Sequence, residues 1–108
     1  MPSHEVELLY FEGCPNWQQT RATVERVSSE LRVETNLHLV EVCDPDAAIK
    51  ARFLGSPTVR VDGRDIELGA DDRQEYVFAC RVYKTEAGLS GQPAERWLRA
   101  ALMGDDSG

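Results

Sequence analysis

From Val6 to Phe11 the chain is an apolar run interrupted only by Glu7. Strands buried on both faces of a parallel sheet have this character. Glu12-Gly13-Cys14-Pro15 breaks the run, and Pro15 suits a first helical turn, where its missing N–H is no loss. The period then changes. Trp17, Thr20, Val24, Val27 and Leu31 recur every three or four positions, which predicts an amphipathic helix from Asn16 to about Leu31. Leu37–Val42 is predicted as a second strand, with Leu37 and Leu39 on one face and Val40 and Val42 on the other. Asp44-Pro45 then starts a short helix that runs to about Phe53 and stops before Gly55, since Asp44 can cap the open N–H groups.

Beyond Gly55 the pattern is that of a hairpin. Thr58–Val61 and Arg64–Leu68 flank Asp62-Gly63, a strong signal for a tight antiparallel turn. The stretch 69–91 has no clear period. Within it Tyr76, Val77, Phe78, Cys80, Val82 and Tyr83 fit either a helix or a strand, and so many apolar groups are expected to pack against the body. Pro93 opens a last helix to about Met103, with Trp97 and Ala101 facing inward, joined by Leu98 and Leu102. A frayed tail is expected over 104–108. The order is βαβ followed by ββα, which predicts a single α/β domain over 1–108 with a four-stranded mixed sheet and a parallel first pair.

Composition narrows the function. A chain of 108 residues, 42% of them hydrophobic, can bury a core without metal or disulfides. Nineteen acidic residues against twelve basic ones give a charge of −7, and no Lys/Arg cluster stands out. Nucleic acid and anionic membranes are therefore not expected as partners. The first apolar run is too short for a secretory signal and lacks a basic leader, so a cytoplasmic chain is expected. Its three cysteines, Cys14, Cys43 and Cys80, are then free thiols unless one does redox work. His4, placed in a loose terminus, and His38, placed mid-strand, form no closely spaced set with them, so no metal site is expected.

Two motifs carry the chemistry. Tyr10-Phe11-Glu12-Gly13-Cys14-Pro15-Asn16-Trp17 leads a strand into a cysteine at a helix start, and Gly55-Ser56-Pro57-Thr58-Val59 stands just before the third strand. In this order they resemble the thioredoxin-like superfamily, over most of the chain apart from 69–91. The resemblance implies a three-layer fold, a reactive Cys14 and a cis Pro57 beside it. It also implies that Pro15, Trp17, Ser56, Pro57 and Thr58 position the substrate. Physical chemistry puts the same weight on Cys14, because unpaired N–H groups and the positive end of a helix favour a thiolate.

The chain departs from a dithiol site in carrying Trp17 three residues after Cys14, and Trp17 cannot attack a mixed disulfide. Resolution then falls to a small thiol such as glutathione, to Cys43 at the end of the second strand, or to Cys80 folded over the same sheet edge. A disulfide needs Cα atoms within about 7 Å, which spacing alone does not establish for either pair. Asp44, Asp46, Asp71 and Asp72 read as caps or solvated groups, and Arg64, Arg81 and Arg96 as surface or rim groups. No bound cofactor is expected. Two functions stand: a thiol-dependent oxidoreductase or thiol-exchange protein acting on a thiol- or disulfide-bearing protein or small molecule, and a non-catalytic thioredoxin-like module that binds a protein or ligand.

Overall fold

The computed structural model describes residues 3–103; the tail over 104–108 lies outside them. In chain order the elements are β1 (Ser3–Tyr10), α1 (Trp17–Leu31), β2 (Glu34–Glu41), α2 (Pro45–Lys50), β3 (Thr58–Val61) and β4 (Arg64–Asp65). A single 3-10 turn (Ala70–Asp72), a separate hairpin of β5 (Tyr83–Thr85) and β6 (Gly88–Ser90), and α3 (Glu95–Leu102) follow. β1 to β4 form a mixed sheet in the order β2-β1-β3-β4. β1 runs parallel to β2, with Val6 opposite Leu37, and antiparallel to β3, with Leu8 opposite Val59.

The apolar run of β1 is explained by its central place. Val6 and Leu8 point to a core shared with Val24 and Val27 of α1, Val59 and Val61 of β3, and Leu98 and Leu102 of α3. Leu9 points the other way, into a second cluster with Val42, Ala48 and Phe53. Alternate residues of one strand thus bury against different helices, as the period of two requires. In α3 the fully buried residues are Leu98 and Leu102, whereas Trp97 and Ala101 only pack partly against the core. The stripe of α1 is as predicted through Val27, but Ser28 takes the last buried place, its hydroxyl donating to the Val24 carbonyl at 2.7 Å.

α2 and β4 are shorter than the sequence suggests, for local reasons. Asp44 caps α2 through the Ala47 N–H at 2.8 Å, but Arg52 adopts a left-handed φ of 56° and Phe53 N–H turns back to the Ala48 carbonyl, ending the helix at Lys50. β4 stops at Asp65 because its carboxylate takes the Glu67 N–H at 2.8 Å, and Leu68 is left exposed. The expected helix or strand over Glu75–Tyr83 does not form: these residues run irregularly until β5. They also pack less than their composition implies, with Phe78 38% and Val82 62% exposed. Of their apolar side chains Tyr83 alone is fully buried.

The Asp62-Gly63 turn has φ 53° and 86°, both left-handed, as a type I′ hairpin turn requires. It is tied back to β1. Asp62 N–H donates to the Glu5 carbonyl at 2.7 Å, while the Asp62 carboxylate accepts from Glu5 N–H at 3.0 Å and meets His4 Nδ1 at 2.5 Å. His4, expected in a loose terminus, is therefore an anchored strand residue paired with Thr35. The His4 bond, then the Glu5 N–H, hold the Asp62 carboxyl below its ordinary value of 3.8. A lowered carboxyl stabilises the fold above its unfolded value and loses that contribution as pH falls through the lower folded one. Asp62→Asn keeps a residue that tolerates the left-handed turn. Its urea midpoint should fall slightly at neutral pH and depend less steeply on acid than that of the wild type; parallel acid profiles would exclude the linkage. The effect is small because the group is half exposed and screened.

Candidate functional site

β1 delivers the chain to a tight turn in which Cys14 N–H donates to the Phe11 carbonyl at 3.0 Å. α1 begins only at Trp17, with Asn16 as its cap, so Cys14 precedes the helix and Pro15 is not its first residue. The Cys14 thiol donates to the carbonyl of Ser56, at 3.5 Å. The expected helix-end contact is thus replaced by a contact with the Pro57 loop. Cys14 is 4% exposed and belongs to the core cluster. Trp17 is buried beside it and stacks on Tyr10 with ring centroids 4.1 Å apart, a wall and not a chemical group.

The Ser56–Pro57 bond is cis, as the motif implies, and the loop lies against Cys14. It is not open for a partner. Ser56 N–H donates to the Ala79 carbonyl and Arg81 N–H donates to the Ser56 carbonyl, both at 2.9 Å. These two bonds form an isolated parallel bridge between Ser56 and Cys80. The Ser56 carbonyl therefore receives both the Cys14 thiol and the Arg81 N–H, and Cys80 is carried over Cys14. The Cys80 thiol titrates above its ordinary value, first through desolvation, then through the charge and hydrogen bond of neighbouring Cys14. Cys80 is nonetheless an exposed residue. Cys43 is also exposed, just past β2.

What holds Cys80 in place is its neighbour. Arg81, read from sequence as a rim group, is 2% exposed. Its guanidinium makes two bonds to Asp65, at 2.7 and 3.3 Å, one to Glu67 at 2.7 Å and one to the Thr58 hydroxyl at 3.0 Å. It also stands 4.3 Å over the Tyr83 ring. Burial works against its charge, but the bonds to Asp65 and Glu67 and the nearby charges outweigh it and raise its pKa. Tyr83, whose own ionisation burial strongly opposes, donates its hydroxyl to the Pro57 carbonyl at 2.6 Å. Gly55 makes the approach possible: at its φ of 119° a side chain is strained, and a Cβ there would lie 2.8 Å from Arg81 Cβ and 3.0 Å from its Cα.

The residues expected to position a substrate are mostly occupied. Thr58 is fully buried, its hydroxyl donating to the Gly55 carbonyl at 2.6 Å and accepting from Arg81. Ser56 is fully buried as well, and its hydroxyl has no partner among the described residues. Pro57 is buried, with its carbonyl taken by Tyr83, while Pro15 is exposed next to Cys14. Sequence reasoning missed the Arg81–Asp65–Glu67–Thr58 cluster. Arg81 stands 14 to 23 residues from its partners, in a stretch with no periodicity to mark it as buried.

Among the described residues no group of three or more His, Cys, Asp or Glu side chains converges as a metal site. His38, on the exposed part of β2, meets Glu5 at 3.2 Å instead. No described helix is long and apolar enough to cross a membrane. Comparison with protein-family models, curated proteins and solved structures gives no match. The chemistry of the site therefore stands on its own geometry: a buried thiol that donates to the Ser56 carbonyl, and an exposed one whose residue is bridged through the backbone to the same serine.

Proposed function

We propose that this chain is a thioredoxin-like, three-layer domain of the cytoplasm that exchanges thiols and disulfides through Cys14 and Cys80. The single observation that carries this reading is the convergence of both cysteines on Ser56, one by its thiol and the other by the backbone bridge. Cys80 thereby takes the place of the second cysteine absent at Trp17, and Cys43 and a resolving small thiol are not needed for the first oxidation. The alternation of the parallel β1–α1–β2 unit with the antiparallel β3–β4 pair and a final helix supports the fold assignment. A dithiol that cycles between two states also suits a reducing compartment, where an oxidised pair is a working state and not a permanent staple.

The test is disulfide mapping by mass spectrometry after equilibration in glutathione redox buffers of graded ratio. A reversible Cys14–Cys80 link is expected, with Cys43 outside it, and Cys14→Ser should abolish the link. A Cys14–Cys43 link, or no intramolecular link at any ratio, would refute the reading. A binding module is the second reading, favoured by the exposed side chains of Val77, Phe78 and Val82 around Cys80. It is the one left standing if neither thiol responds to the buffers.

A further inference from the structure

Resting on the proposed Cys14–Cys80 pair, we infer that Cys80 is the thiol that meets the outside disulfide, that Cys14 resolves it from beneath, and that the substrate is a small-molecule disulfide. A resemblance to dithiol enzymes would put the attack on Cys14. The geometry opposes that assignment in two ways. Cys14 is nearly inaccessible, while Cys80, bridged to the same Ser56, is exposed. An extended peptide carrying a disulfide would reach Cys14 by pairing with the backbone of Ser56, but the chain's own Ala79 and Arg81 already use both the N–H and the carbonyl of that residue.

This bridged segment is not easily displaced. Arg81 is bonded to Asp65, Glu67 and Thr58 and stacked on Tyr83, and Gly55 lets it approach at contact distance. A protein disulfide would have to extract a buried ion pair before it could pair with Ser56. A small disulfide needs only the open sulfur of Cys80.

The steps balance. Cys80, as thiolate, attacks one sulfur of R–S–S–R, forming Cys80–S–S–R and releasing RS⁻, which takes up the proton Cys80 lost. Cys14, having given up its own proton, attacks the Cys80 sulfur and expels the second RS⁻, which is protonated in turn. The pair loses two electrons and two protons, the small disulfide becomes two thiols, and the protein holds a Cys14–Cys80 disulfide. Two equivalents of a small thiol return it to the dithiol by the reverse path.

Cystamine, a small cationic disulfide, is the probe for this acidic chain, applied in a Cys43→Ser background to remove the third thiol. With Cys14→Ser, a stable mixed disulfide should accumulate at Cys80. With Cys80→Ser, Cys14 should be modified at least about tenfold more slowly, because reaction there awaits local opening of the 79–81 segment. The parent protein should go on to the Cys14–Cys80 disulfide, and circular dichroism confirms that each variant is folded. Equal rates, or faster modification of Cys14, would overturn the inference while leaving the dithiol pair intact. Failure of the parent to form the internal disulfide, with Cys80 stably modified, would instead refute the proposed pair on which the inference rests. A peptide disulfide that reacts with the parent faster than cystamine would overturn the small-molecule assignment.

Discussion

Arg81→Ala is expected to destabilise the protein by about 3–5 kcal/mol, the range for breaking a buried ion pair from one side. The cause is what remains behind. The Asp65 carboxylate is almost fully buried, and without Arg81 it keeps only N–H partners such as Glu67. Thr58 keeps its bond to Gly55 but loses its donor, and the face of Tyr83 loses the cation above it. Urea denaturation measures the change. Adding Asp65→Asn to Arg81→Met should recover part of the loss, because it removes the stranded charge. A loss under about 1 kcal/mol for Arg81→Ala would show that the cluster is not an internal anchor. The same variant should make Cys14 more open to alkylation, since the backbone strand at 79–81 loses the side chain that pins it.

Oxidation that joins Cys14 to Cys80 is expected to stabilise the fold by about 2–4 kcal/mol relative to the dithiol form. The bond would close a loop of roughly 65 residues, and a loop of that length removes much conformational freedom from the unfolded chain. The folded state already holds both residues against Ser56, one by its thiol and the other by the backbone bridge, so little rearrangement opposes the gain. The check is the urea midpoint with and without reductant. Cys14→Ser should show no difference between the two conditions. An oxidised wild type that is less stable than the reduced one would mean that the pair is misaligned for bonding.

Most of the architecture was legible along the chain because its signals are local. The apolar run of Val6–Phe11, broken only by Glu7, marks a central strand, the stripe from Trp17 to Val27 marks one helix face, and Asp62-Gly63 can hardly be anything but a hairpin turn. Asp44-Pro45 announces α2 in the same way. Where boundaries slipped, a nearby side chain or backbone conformation competed with the element, as Asp65 does with β4 and the left-handed Arg52 with α2. Cys14 and the Pro57 loop were also recognisable as a pair, each from a short motif.

Which thiol partners Cys14 stays open along the chain, between Cys43, Cys80 and a small thiol. Cys80, Arg81 and Tyr83 lie in a segment whose apolar residues follow neither a helical nor a strand period, because the backbone bonds that tie it to the body meet only single residues, Phe53 and Ser56. Periodicity reports repeated burial against one surface, and a strap that touches the core at single points produces none. Charge misled for a related reason. An arginine is ordinarily solvated, and nothing local distinguishes one that will be met in space by Asp65, Glu67 and Thr58, all distant in the chain. Local preference along the chain was enough for the strands, helices and turns; which thiol lies covered, which lies open and what holds them together is a matter of long-range contacts, whose energy no short stretch of sequence contains.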